Sequence, residues 1–345
     1  MPLNLGLIGA GRMGSTLAHH LAYSVHSANL LAIADPFEEN ARKTAAHCNV
    51  ADVYTDYRAL LARDDLDAVV IVTPTSTHVE VIKAAAQSGK HIFTEKPLAL
   101  TLEKCDEAIA AVEAAGVKMM VGFMRRFDAA CLAAKQKIDA GEIGNPVMIK
   151  LIGRDPWRTS LEYARRDNSG GLIADMGIHD FDLARWLMGS EVTRTFSEGG
   201  CLVFPELKEA GDIDNAVINL KFANGAVGNV DVSRNAIYGY DIRAEVIGSE
   251  GSVFIGGLQQ TMTWTLKKNQ ISHDTIPGFM ARFAEAYAAE IRAFVDCIVE
   301  DRPVPITGAD ARAATAIAIA ATRSLDEARP VTLAEIEGGA HGINA

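Results

Sequence analysis

Leu3-Asn4-Leu5-Gly6-Leu7-Ile8-Gly9-Ala10-Gly11-Arg12-Met13-Gly14 decides the fold. Residues 3–9 read as a short apolar strand and 13–24 as a helix, so the glycines occupy a strand-to-helix turn. Gly9 permits the tight turn, Gly11 lets a pyrophosphate approach the backbone, and Gly14 lets helix and strand pack closely. The helix start at Arg12 and Met13 offers unpaired N–H groups and a positive dipole end to phosphates.

Outward from this turn the alternation continues. Strand-like runs at 30–35, 68–73, 91–95 and 118–122 are separated by helical patterns at 37–47, 77–88 and 102–115. Continuous apolar strands with intervening helices predict a doubly wound parallel sheet of Rossmann type, covered on both faces. Gly89 and Gly116 stand where helix C-caps are expected. The pattern then changes. Residues 123–139 read as helix, 146–153 as strand and 173–188 as helix. Alternating strands follow at 216–222, 225–233, 241–247, 251–255 and 261–266, joined by turns such as Asn224-Gly225. Helices at 281–300 and 309–328 close the chain. The prediction is a dinucleotide-binding domain over 1–122 and an α+β domain with a mostly antiparallel sheet over 123–345.

Asp35 ends the second strand. A carboxylate there accepts hydrogen bonds from the adenosine ribose hydroxyls and repels a 2′-phosphate, which favours NAD over NADP. The alternative is that Asp35 caps the following helix. Thr73-Pro74-Thr75 and His78 follow the third strand, beside the crevice where a dinucleotide lies; the alternative is a capping turn built by Ser76 or Thr77.

Composition bounds the rest. The chain has 345 residues, 49% of them hydrophobic, and a net charge of −11. That charge argues against nucleic acid or an anionic membrane surface as partner. The five cysteines show no CxxC pair and no zinc spacing, so they read as reduced, mostly buried thiols in a cytoplasmic protein, with no metal site. There is no signal-peptide layout and no run long enough to span a bilayer. His19, His20, His26, His47, His91, His273 and His341 lack partners at catalytic spacing and read as surface or packing residues.

Two groups carry chemistry. Glu95-Lys96-Pro97 ends the fourth core strand, where the Lys96 ammonium can donate to a substrate hydroxyl. Pro97 suggests a kink or a cis bond. Taken alone, Lys96 reads as a solvated surface lysine. In Asp175-Met176-Gly177-Ile178-His179-Asp180-Phe181-Asp182 the spacing puts Asp175, His179 and Asp182 on one helix face. A carboxylate beside an imidazole suits a general base for alcohol oxidation. The alternative is a capped helix with a surface ion pair.

The glycine fingerprint, Glu95-Lys96-Pro97, Gly122-Phe123-Met124-Arg125-Arg126-Phe127-Asp128 and Asp175…His179 occur in this order. Together they resemble the Gfo/Idh/MocA oxidoreductase family. Tyr238-Gly239-Tyr240-Asp241, the Ile247-Gly248 turn and Arg282-Phe283…Tyr287 resemble its inositol 2-dehydrogenase branch. The resemblance implies a catalytic set of Lys96, Asp175 and His179. His179 would be the base, Asp175 would orient it, and Lys96 would bind the reacting hydroxyl. It also implies NAD as cofactor and a homotetramer formed through the open sheet.

Further contacts are expected around this set. Glu95, Arg125 and Tyr287 are expected near the cofactor, and Arg125, Asp155, Trp157, Asp182 and Tyr238 near the substrate. The alternatives are an Arg125–Asp128 ion pair and a core role for Tyr287. Gly153 stands where related inositol enzymes often carry histidine. Residues 165–171 read as a polar loop near the pocket or as an ordinary connection. The reaction expected is oxidation of one CH–OH of an inositol isomer or pyranose sugar to the ketone. The rivals are an NAD-dependent glycosidase with transient oxidation and a non-catalytic NAD- and sugar-binding protein.

Overall fold

Strands β1 (Leu3–Ile8), β2 (Ala28–Ala34), β3 (Asp52–Tyr54), β4 (Ala68–Ile71), β5 (His91–Glu95) and β6 (Met119–Gly122) alternate with helices α1 (Arg12–Tyr23), α2 (Glu38–Cys48), α3 (Tyr57–Leu61), α4 (Thr75–Gln87) and α5 (Leu102–Ala115). The six strands pair in parallel in the order β3-β2-β1-β4-β5-β6. The order reverses between β1 and β4, and the crevice outside the strand C-termini at such a point is where ligands of open α/β sheets bind. All four residues of β4 are fully buried, as expected of a strand covered on both faces. The computed structural model describes residues 2–338, so His341 lies outside them.

The chain divides into two compact units, Met1–Phe127 with Glu285–Ala313, and Asp128–Ala284 with Ala314–Ala345. The sequence puts everything after residue 122 in a second domain, whereas residues 285–313 return to the first unit. Their anchors there are specific. Phe294 packs edge-on to Phe93 at 5.8 Å. The Lys118 ammonium donates to the carbonyls of Cys297 (3.1 Å) and Arg302 (2.8 Å). Arg126 pairs with Asp310 at 3.1 Å.

The second unit is built on β7 (Pro146–Arg154), β8 (Val192–Gly200), β9 (Asn215–Phe222), β10 (Val227–Ser233), β11 (Asp241–Gly248), β12 (Ser252–Ile255) and β15 (Val331–Thr332). Their order is β12-β11-β7-β10-β9-β8-β15, and β7–β10 is the one parallel pair in this sheet. A separate hairpin pairs β13 (Trp264–Lys267) with β14 (Gln270–His273). Helices α6 (Ala129–Asp139), α7 (Leu161–Ala164), α8 (Arg166–Ser169), α9 (Gly171–Asp175) and α10 (Gly177–Met188) precede most of the strands. Helices α11 (Phe279–Val299), α12 (Gly308–Glu327) and α13 (Leu333–Glu337) come late. Along β9, Ala216, Ile218, Leu220 and Phe222 are buried, while Val217 and Asn219 face out. One face of the sheet therefore carries the core, α10 included, and the other is open.

Four expectations are corrected. The helix expected over 123–139 is broken, because the Asp128 carboxylate caps α6 by accepting from the Cys131 N–H at 3.3 Å. The helix expected over 173–188 is interrupted at Met176. The strand β8 is unexpected, because a register shift between Val192 and Arg194 destroys its period of two. The 165–171 connection is an ordered turn rather than a plain loop. It contains α8, forks Arg166 onto Asp326 (2.6 and 2.9 Å), and turns through Gly170 and Gly171 at positive φ.

Candidate active site

The glycine turn has the geometry its spacing predicts. Gly9 sits at φ +98°, and a Cβ there would overlap the Val72 carbonyl oxygen. A Cβ on Gly14 would overlap the Gly9 carbonyl oxygen, so α1 packs against the turn as closely as backbone permits. A Cβ on Gly11 would meet nothing within 4 Å: this is the open side. Gly11 is also the N-cap of α1 and supplies no side-chain cap, so the positive end of the helix at Arg12 and Met13 faces the turn without one. These are the features a dinucleotide phosphate needs.

Asp35 is buried, and each of its oxygens already accepts one backbone N–H, Oδ2 from Ala10 at 2.7 Å and Oδ1 from Phe37 at 2.8 Å. It therefore ties the end of β2 to the glycine turn. Each carboxylate oxygen keeps acceptor capacity for a ribose hydroxyl.

Around β4 and β5 the loops are tied together by side chains. His78 is buried, with Nδ1 2.9 Å from the Pro97 carbonyl and Nε2 2.9 Å from the Thr73 carbonyl. Each ring nitrogen faces a carbonyl, and a neutral ring donates to one of the two, so His78 braces the loops beside the crevice. Burial lowers its pKa, the two carbonyls oppose that, and Lys96 lowers it further. Thr77 Oγ1 lies 2.9 Å from Thr73 Oγ1 and donates to the Pro74 carbonyl at 2.8 Å, so the capping turn exists. Lys96 precedes a cis bond to Pro97 and is half-buried.

Glu95 turns inward, toward Gly122, and its Oε2 accepts the Lys96 N–H at 3.2 Å. Glu290 of α11 is also fully buried, and neither of its oxygens has a hydrogen-bond partner among the described residues. Burial pushes the Glu95 pKa up to about 7, against the pull of the Lys96 ammonium and N–H. Burial and then the Glu95 charge hold Glu290 well above the carboxylate range. From about pH 4.5 to 7 the folded unit thus binds more protons than the unfolded chain, and stability falls as pH rises. We expect Glu290→Gln to raise the melting temperature by several degrees at about pH 8 and hardly at about pH 5. Thermal unfolding at both pH values checks this; an equal shift at both contradicts it.

In the second unit Asp175 ends α9 while His179 and Asp182 lie in α10; Met176 between the helices stays in the helical region at φ −93° and ψ −50°, so the backbone keeps a helical course across the boundary. Asp175 Oδ2 accepts from Arg234 Nη2 at 3.2 Å, and Oδ1 accepts from the Tyr163 hydroxyl at 3.0 Å. Asp182 and Asp180 are buried. A Cβ on Gly153 would lie 2.7 Å from Asp180 Oδ2, which explains the bare position in β7. The Asp155 backbone is bonded to Ser233 (2.8 Å) and Ala236 (2.9 Å). Trp157 is part-exposed and lies over Gly278. Tyr238 donates to Asp241 Oδ2 at 2.7 Å and accepts from Arg154 Nη1 at 3.1 Å. Burial works to raise the Asp241 pKa, but Arg243 and Tyr238 hold it low. Asp128 pairs with Arg282 at 2.6 Å. Arg125 and Tyr287 are buried in the first unit. Sequence reasoning misses Arg234, Tyr163, Asp212 and Glu290. The one signal for Arg234 is a charge directly after an alternating strand.

This geometry has relatives. The chain belongs to the Gfo/Idh/MocA oxidoreductase family: residues 3–123 match its NAD-binding Rossmann fold and 135–333 its C-terminal alpha/beta domain. Within it, the chain is 42% identical to scyllo-inositol 2-dehydrogenase (NAD(+)) of Bacillus subtilis, over 95% of both chains. It is 37% identical to myo-inositol 2-dehydrogenase of Thermotoga maritima, over 97% of this chain and 100% of that one. A crystal structure of scyllo-inositol dehydrogenase from Lactobacillus casei with NAD(H) and scyllo-inositol matches with a TM-score of 0.92. Its identity is 30%, over 97% of this chain and 100% of that one.

Proposed function

We propose that the protein oxidises one ring CH–OH of an inositol, scyllo or myo, to the ketone and reduces NAD to NADH. The observation that carries this is end-to-end similarity to two enzymes bearing those names, combined with a glycine turn and an Asp35 suited to NAD. NAD, when bound, supplies the hydride acceptor. The first-turn amides of α1 bind its phosphates, and Asp35 binds a ribose. Lys96 donates to the reacting hydroxyl and stabilises developing alkoxide charge. His179 takes the hydroxyl proton, and Asp175, held charged, raises the basicity of the imidazole. Asp155, Trp157, Asp182, Tyr238 and Arg125 are the further residues assigned to polyol binding. The enzyme works in the cytoplasm as a homotetramer joined through the open sheet face, where Val217 and Val227 are exposed.

NADH formation is to be measured against scyllo-inositol, myo-inositol, glucose and an aryl glycoside. An inositol is expected to give the highest kcat/KM; cleavage of the glycoside without net NADH would refute the proposal. Asp35→Ser should lower kcat/KM for NAD at least about tenfold, ~1.4 kcal/mol, and narrow the gap to NADP. An unchanged NAD-to-NADP ratio would show that Asp35 does not read the ribose.

A further inference from the structure

Arg234 directly follows β10, and its backbone N–H donates to the Asp214 carbonyl at 2.9 Å. Its side chain is 2% exposed and among the largest fully buried ones. A buried guanidinium is strongly unfavourable unless carboxylates and hydrogen bonds compensate it. Two carboxylates face it, and not equally. Nη2 is hydrogen-bonded to Asp175 Oδ2 at 3.2 Å but stands 3.9 Å from Asp212 Oδ2, too far for a hydrogen bond.

Asp212 has another task. Its Oδ1 accepts the Leu172 N–H at 2.8 Å in the first turn of α9. Asp175 is the last residue of that same short helix. One carboxylate thus pins the start of α9, while Arg234 grips its end. The Tyr163 hydroxyl, on α7, holds the second oxygen of Asp175. With a donor on each oxygen, from two different elements, the carboxylate plane is fixed.

We infer that Arg234 is a positioning residue that keeps Asp175 charged and aligned for proton transfer, with Tyr163 completing the clamp. This rests on the proposed role of Asp175 in supporting His179. Within the unit, the charged and titratable groups acting on this cluster are Asp155 after β7, Arg166 on α8 and Asp212 before β9, with the Tyr163 hydroxyl on α7 bonded to Asp175. Burial alone would lower the Arg234 pKa, but Asp175, Asp212 and Asp155 raise it, so the guanidinium stays charged at every working pH.

The test is a mutant cycle on the full-length enzyme, with kcat followed over pH. Arg234→Lys keeps the charge but loses the planar fork. It should lower kcat about tenfold in the wild-type background and less than about twofold in the Asp175→Asn background, because it acts through that carboxylate. KM for NAD should stay within about twofold in every variant. Arg234→Gln removes the charge, so Asp175 and His179 are protonated more easily and the acidic limb of kcat should move to higher pH. Tyr163→Phe, which leaves no buried charge unpaired, should lower kcat about threefold and only while Asp175 is present.

Equal losses in both backgrounds would overturn the inference, as would loss of thermal stability with normal kcat and an unmoved acidic limb. Should Arg234→Gln fail to fold, the lysine and phenylalanine variants still decide between these outcomes. Near-normal turnover by Asp175→Asn sinks instead the role proposed for Asp175.

Discussion

His179→Gln is expected to lower kcat by about two orders of magnitude or more while leaving NAD affinity within about twofold. Alcohol oxidation releases a proton from oxygen as the hydride leaves carbon, and only a group with a pKa near neutrality accepts it efficiently at working pH. Glutamine keeps size and hydrogen bonding but cannot take the proton. The acidic limb of the pH–kcat profile should therefore vanish with the imidazole. Lys96→Met should cost a similar factor for a different reason, loss of charge stabilisation at the reacting oxygen, and should leave that limb in place. Stopped-flow turnover and NADH fluorescence titration separate chemistry from binding. Turnover near normal in both variants would refute the assigned roles.

Gly14→Ala should be the most damaging single methyl group in the first unit. Its Cβ falls on the Gly9 carbonyl oxygen, which is backbone and has no rotamer to yield. The start of α1 must lift off the turn, at a cost of about 1–3 kcal/mol or more. Displacing phosphate-binding amides by about 1 Å is enough to cost on the order of a hundredfold in function. A fall in melting temperature of several degrees and at least a hundredfold weaker NAD binding are expected together. Gly11→Ala is the contrast, because a Cβ there meets no protein atom. Stability should change by less than about 0.5 kcal/mol, while NAD affinity still drops because the methyl group occupies the pyrophosphate's approach. Equal loss of stability in both variants would argue against this division of labour.

What the sequence conveys well is whatever depends on local pattern. The parallel sheet was legible because β4 is a continuous apolar run and β1 is rich in Leu and Ile, and the glycine turn because Gly9 and Gly14 meet steric demands that Gly11 does not. The mostly antiparallel second sheet was legible from the alternation in β9 and β10. What it hides depends on residues far apart in the chain. His78 looks like a ligand from its place at a helix start, but the fold sets a carbonyl against each of its ring nitrogens. Asp175 and His179 share a helical spacing, but the boundary between two helices at Met176 leaves no mark in the sequence. Arg234 and Asp212 show no motif, since their meaning comes from a clamp closed across β10, α9 and the segment before β9. Glu290 looks like any acidic residue of an amphipathic helix until its burial near Glu95 is seen.

The return of residues 285–313 to the first unit has a consequence for synthesis. Phe93, Lys118 and Arg126 find their partners at Phe294, Cys297, Arg302 and Asp310. A nascent chain ending at residue 127 therefore lacks part of its own interior, and the nucleotide-binding half cannot be completed until nearly all of the polypeptide has left the ribosome. The two halves mature together rather than in order from the N-terminus. Exchanging the cofactor half between relatives requires transplanting two stretches of gene, not one.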